Sequence, residues 1–299
     1  LSGRTDLFAA TDAFQSGRSD RVFLLAEGTR RHTSGDTVLT ASAQRTSLAL
    51  QQDFTGFLRD PVFGDGIRQA QDGWQARVEM IHRATTTLFE RPLKLTGALG
   101  LRFDTLGQAQ VPYDGRDGTL RTDARLRDWH VDLLDAFAWL EAAWKLDSLQ
   151  FRLGTRLDQF VSYTHSPGPG PERTALASGL HPGLKGGLSW NLPDVVTLSL
   201  DYGDGFRSPF APALVDRQRT PFTRIRTLDL GARRDSASHA LAATLFGSHV
   251  EDDVFFDHLV ARTSYIGPTA RFGIGLRGSL RLDDALLLNA HATAAHAVE

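Results

Sequence analysis

The chain has 299 residues, a formal net charge of -2 and no cysteine. That balance carries no polybasic signature for nucleic acid, and the lack of cysteine excludes disulfides, thiolate metal sites and cysteine nucleophiles. No apolar run approaches the ~18 residues that a membrane-spanning helix needs, so any crossing of a bilayer must use strands in a closed barrel.

Strand signals are faintest before Gln51, where His32-Thr33-Ser34-Gly35-Asp36 reads as a short turn. From 94 to 104, Leu95, Gly97, Leu99, Leu101 and Phe103 alternate with Lys94, Thr96, Ala98, Gly100, Arg102 and Asp104. The segment 131–144 fits two periods. Leu133, Phe137, Leu140 and Trp144 also make a helical stripe, but a strand here can pair across a tight turn with 149–161. Next, Leu149, Phe151, Leu153, Thr155 and Leu157 oppose Gln150, Arg152, Gly154, Arg156 and Asp158. Val196, Leu198, Leu200 and Tyr202 oppose Thr197, Ser199 and Asp201, and Phe272, Ile274, Leu276, Leu280 and Leu282 oppose Arg271, Gly273, Arg277, Ser279 and Arg281. Period-two alternation of this kind predicts strands with one apolar and one polar face, roughly thirteen along the chain.

A soluble sandwich alternates too. Two features favour a membrane barrel. The strands read as longer than the usual five or six residues. Their connections also alternate between short and long. Short ones fall at Arg91-Pro92, Lys145-Leu146-Asp147-Ser148, Asn191-Leu192-Pro193-Asp194, Arg234-Asp235-Ser236-Ala237 and Leu282-Asp283-Asp284-Ala285; long ones cover 52–73, 106–125, 165–182, 206–223 and 257–267. Tight turns at one end and long loops at the other are the polarity of an outer-membrane barrel, with the turns periplasmic. Trp144 and Trp190, each just before a short turn, stand where an interfacial aromatic girdle belongs. The chain begins at Leu1 without a charged-then-apolar leader and ends without a stop signal, so we expect a single barrel domain over 1–299, cut from a longer precursor.

The most distinctive string is Tyr202-Gly203-Asp204-Gly205-Phe206-Arg207-Ser208-Pro209, an amphipathic strand ending in glycines, with Pro209 and Pro212 preventing a further ladder. It resembles the Tyr-Gly-x-Gly-Phe-Arg-x-Pro segment of TonB-dependent receptor barrels. Thr227-Leu228-Asp229-Leu230-Gly231 resembles that family's Thr-x-Glu-x-Gly strand, with Asp229 for Glu. The stretch 245–256, the pair Tyr265-Ile266-Gly267 and Phe272-Gly273-Ile274, the hairpin from Asp135-Ala136-Phe137 to Gly154-Thr155-Arg156-Leu157-Asp158, and Asp53-Phe54-Thr55-Gly56-Phe57 are similar in order and spacing. The chain departs from the pattern before Arg224, where an Asn-Pro-x-Leu-x-Pro-Glu stretch is missing.

The resemblance implies an all-β, antiparallel, up-and-down transmembrane β-barrel, here part of a 22-stranded one, without the N-terminal plug and the last strands. It implies active uptake of a scarce nutrient, a ferric siderophore or similar iron chelate, across the bacterial outer membrane, in contact with its lipid. TonB would act through the absent plug. Alternatives are a passive channel or adhesin barrel, or a soluble secreted β protein. Arg152, Arg156, Arg207, Arg271, Arg277 and Arg281 are the candidate lumen-facing, anion-binding residues. The simpler reading pairs such arginines with inward acids such as Asp158 and Asp229, or with the plug, because barrel interiors are normally polar. Glu251, Asp252, Asp253 and Asp257 cluster without the glycine of a calcium loop, and His239, His249 and His258 show no zinc spacing, so we expect no metal and no cofactor. No nucleophile elbow or phosphate loop points to an enzyme.

Overall fold

In the computed structural model, residues 13–53, 56–167, 172–207, 223–257, 262–282 and 285–298 are described. They form one antiparallel sheet in which each strand pairs with the next in sequence, β1 to β12. The strands are β1 Ser16–His32, β2 Gly35–Gln52, β3 Ile67–Leu88, β4 Arg91–Pro112, β5 Arg127–Leu146 and β6 Leu149–Ser166, then β7 Arg173–Leu192, β8 Val196–Arg207, β9 Thr223–Asp235, β10 His239–Asp257, β11 Arg262–Arg281 and β12 Leu287–Val298. The described residues thus hold twelve strands, not thirteen. The ambiguous segment is strand, and Leu146 pairs with Leu149 across the turn.

Connections do alternate between tight and long, but the expected loops at 165–182 and 257–267 shrink. Strands β6 and β7 meet after Ser166 and resume at Arg173, β10 runs to Asp257, and β11 starts at Arg262. The strands simply continue past the apolar band. A 20-residue strand such as β5 measures about 66 Å at 3.3 Å per residue, far more than the roughly 25 Å of lipid-facing band in such barrels. The tight turn after β3 also lies earlier than expected. Phe89 and Glu90, with φ of 49° and 61°, make it, and Arg91-Pro92 already belongs to β4. Two left-handed central residues match the twist of a hairpin, although neither is glycine. The expected turn residues Asp283 and Asp284, and Ser208, Pro209 and Pro212, lie outside the described residues.

The sheet is a single layer. Leu153, Leu184 and Leu276 are 69%, 58% and 50% exposed, so the apolar side of the alternation meets no second protein layer. Along β5 and β6 burial lies on the other face, where Phe137 and Phe160 sit among Asp135, Asp158, Ser162 and Thr164. This inverts a soluble sandwich, whose apolar faces pack inward. At the tight-turn end, Phe89, Trp144 and Phe151 form a chain of tilted ring contacts at 6.0 and 6.3 Å, and Trp190 pairs with Leu149 beside them.

Candidate functional site

Near the long-loop end, the polar face gathers its charges around three nearly buried carboxylates. Asp158 on β6 receives Arg156 through three contacts of 2.6 to 2.9 Å, and Asp135 on β5 lies 3.9 Å from the same guanidinium. Strand alternation explains the first pair: residues 156 and 158 share a face. The Arg156 guanidinium also lies 4.2 Å from the centre of the Phe137 ring, a distance at which a cation is attracted to the ring face. Arg77 approaches the same ring at 5.1 Å.

Asp204 on β8 is the second centre. Arg224 of β9 donates its Nε to both carboxylate oxygens at 3.0 Å and adds a further bond through Nη2. His181 Nε2 of β7 lies 3.6 Å away and Arg226 lies 4.0 Å away. Asp253 on β10 is the third centre. It accepts from Arg207 at 3.0 Å, from the Thr269 hydroxyl at 2.8 Å, and from Arg271. A β-bulge between Val250 and Asp253 aims this carboxylate at Thr269 and Arg271 of the next strand. Bulges commonly re-aim a side chain in this way.

Between the first two centres lies an open hollow of about 530 Å³. Phe160 and Phe206 wall it, with His181, Arg156, Arg207 and Lys185. The Phe206 ring sits 4.9 Å from His181 and 6.4 Å edge-on from Phe160. Three of the four long cations on the hollow are already neutralised: Arg102 by Asp104 at 2.8 Å, Arg156 by Asp158, and Arg207 by Asp253. Among the described residues Lys185 has no carboxylate within 4 Å, and it is exposed.

The six arginines singled out in the sequence therefore divide. Arg156 and Arg207 line the hollow, and Arg271 shares Asp253 with Arg207. Arg152 is held by Asp201 at 2.8 Å, deeper toward the tight turns. Arg277 and Arg281 lie farther along β11 in the same direction and meet no carboxylate among the described residues. Asp158 takes an arginine as expected, whereas Asp229 takes none among the described residues, because its register neighbours are Asp201 and Phe246. The acidic cluster of 251–257 also divides. Glu251 holds Arg226 at 3.1 Å and Asp253 holds two arginines. The side chains of Asp252 and Asp257, and His258 entirely, lie outside the described residues. Sequence reasoning missed Lys185, His181, Asp204 and Arg224. Lys185 and His181 carried a readable signal, since both fall on the polar parity of β7.

The β2–β3 and β4–β5 loops form a second organised region. Asp60 accepts the Val62 and Phe63 N–H groups at 3.0 and 2.9 Å, and Asp65 accepts those of Arg59 and Asp60 at 3.0 and 2.8 Å. Arg121 lies 4.0 Å over the Phe63 ring and 3.3 Å from Asp60, tying the loops together. Tyr113 is fully buried beneath Gly66, where a Cβ would stand 2.4 Å from its ring. The Arg116 side chain, and then its backbone N–H, holds the Asp114 carboxyl down at about 2. Asp60 is also held below its ordinary range, chiefly by the Phe63 N–H.

Comparison with known proteins fits this geometry. The chain superposes on the ferric citrate transporter FecA in its unliganded form with a TM-score of 0.77 at 12% identity, covering 96% of this chain and 44% of that one. On the ferric-catecholate import receptor Fiu from E. coli K12 the TM-score is 0.74 at 12% identity, with 96% and 48% covered. For the ferric yersiniabactin uptake receptor FyuA from Yersinia pestis it is 0.67 at 12% identity, with 95% and 43% covered. These likenesses show the fold, and the chain spans less than half the length of each of these structures. A search of curated proteins found no match. The family model of TonB-dependent receptor-like β-barrels matches residues 2–290, and the chain belongs to that family.

Proposed function

We propose that this chain is part of the wall of a bacterial outer-membrane receptor that takes up a scarce small anionic ligand, of the ferric-chelate kind, by TonB-dependent transport. The observation that carries this reading is the division of the sheet. One face is an exposed apolar band bordered by Trp144 and Trp190, fit for lipid. The other is a polar wall with a ligand-sized hollow. On this reading the polar face is the lumen, and the plug and about ten further strands of a 22-stranded barrel lie in sequence beyond this chain. Among the described residues Lys185 is the cation of the hollow without a carboxylate partner. It would meet an anionic ligand flanked by Phe160 and Phe206, while Arg156 and Arg207 shape the wall. Arg152, Arg271, Arg277 and Arg281 belong to the same lumen face as structural or plug-facing charges. The full receptor would reach TonB through the plug.

The test is uptake by the full-length receptor in iron-limited cells offered a panel of ferric chelates. The reading expects growth on at least one chelate, loss of that growth without TonB, and at least a tenfold drop in uptake for Lys185→Ala with unchanged receptor in the membrane. Growth that ignores iron supply, chelate and TonB would overturn it and favour a passive channel.

A further inference from the structure

We infer that β8 reverses its faces at Gly203 and that Gly183 on β7 is the positioning residue that makes room for the reversal, bringing Asp204 and Phe206 into the hollow. The inference rests on reading the polar face as the lumen.

Leu198, Leu200 and Tyr202 lie on one parity of β8 and are 38–40% exposed. Strict alternation puts Asp204 and Phe206 on that same face. Their contacts are on the other. Asp204 reaches His181, and Phe206 packs on His181 and Phe160. His181 pairs with Asp158 across β6–β7, on the face opposite the exposed Leu180 and Leu184. The β7–β8 ladder ends at Lys185 and Gly203, whereas β8 and β9 stay in register to Arg207 and Thr223. So β8 leaves one neighbour and stays with the other where its faces exchange. The hollow opens at that divergence, lined by Gly183 and Lys185 on one side and Asp204 to Arg207 on the other.

Gly183 sits at the contact. A Cβ there would stand 2.8 Å from the Asp204 carbonyl oxygen and 3.7 Å from His181 Nε2. The oxygen cannot yield easily. Asp204 is paired with Arg226 on its far side, and its carboxylate is held by Arg224. An alanine at 183 must therefore push β8 outward and withdraw Phe206 from His181.

The natural chain has no cysteine, so single cysteines in it are addressable in the full-length receptor, once any cysteines elsewhere are replaced. A fluorophore at Leu198→Cys should be quenched by nitroxide-bearing lipids. One at Phe206→Cys should be quenched by aqueous iodide only. With His181→Trp added, bimane at Phe206→Cys should be quenched by contact. Gly183→Ala should relieve at least half of that quenching, while Gly186→Ala, whose Cβ meets only a carbonyl at 4.0 Å, should not. A Leu198 label silent to lipid nitroxide would overturn the membrane reading itself. A Leu198 label in lipid with a Phe206 label also in lipid, or one that His181→Trp does not quench, would overturn the reversal alone. Contact quenching that persists in a folded Gly183→Ala receptor would remove Gly183 from its role. If Gly183→Ala does not fold, contact quenching of the Phe206→Cys label by His181→Trp in the parent still decides the reversal, and Lys185→Cys with bimane, quenched by Phe206→Trp, tests whether β7 and β8 meet across the hollow as described.

Discussion

The tight-turn half of the sheet and its long-loop half obey different rules. Toward the turns, β5 to β8 keep strict alternation, and Leu153, Leu184 and Leu198 lie on one side with Arg152, Lys185 and Asp201 on the other. Toward the loops, β8 exchanges its faces and β10 carries a bulge. Both irregularities deliver an aspartate, Asp204 or Asp253, into an arginine cluster. The difference teaches where chemistry is affordable. On the proposed reading, a slipped phase beside lipid exposes charge to hydrocarbon at several kcal/mol per group, so regularity is enforced. Above that band, water solvates either face, and a strand can change phase to build a site.

The sharpest way to break this comparison is to place a charge on each half. Leu153→Arg on the regular half should destabilise the full-length receptor by about 2–4 kcal/mol if the residue faces mid-bilayer. The measurement is the loss of the heat-modifiable band or a lowered urea midpoint. A neutral result would mean that the apolar face is covered by something other than lipid. In the irregular half, Asp204→Ala strips Arg224 of its nearly buried partner and should cost about 2–3 kcal/mol, less than a fully buried pair because the arginine can turn to water. Asp204→Asn should cost less than half of that by the same urea titration. Equal losses for alanine and asparagine would mean that shape, not charge, holds the cluster.

The smallest expected effect is at the loop knot. The Asp114 carboxyl is held down at about 2 by Arg116. A group depressed in the folded state contributes stability that is fully present above its ordinary value near 4 and is lost as pH falls through the folded value. Protection of residues 113–121 from hydrogen exchange, corrected for the intrinsic rate, should hold from pH 7 to pH 5 and fall between pH 4 and 2. Asp114→Asn should remove the pH dependence of this segment while β5 and β6 keep theirs. A knot that loosens near pH 6 would point to another titrating group.

The division of faces in 94–104, 149–157, 196–202 and 271–282 was legible because side chains in a strand alternate with period two, and one parity carries the apolar residues. The family resemblance extended that reading to outer-membrane uptake. The site was only partly legible. Arg156 and Arg207, singled out in the sequence, line the hollow, and the pairing of Arg156 with Asp158 follows from a spacing of two residues. Arg207 with Asp253, and Arg224 with Asp204, could not be read this way, because one pair joins residues 46 apart and the other depends on the register between β8 and β9. Loop lengths were also misjudged at 165–182 and 257–267, where β7 begins at Arg173 and β11 at Arg262, earlier than the sequence reading placed them.

By itself the sequence determined the fold class, the apolar and polar faces of the regular strands, and the order of tight turns, since each depends on neighbours a few residues apart. Tertiary structure alone decided which acid neutralises which arginine, that Lys185 meets no carboxylate among the described residues, and where the hollow opens. Those outcomes depend on register between strands and on the backbone approach of β8 to Gly183, distances that no local pattern encodes.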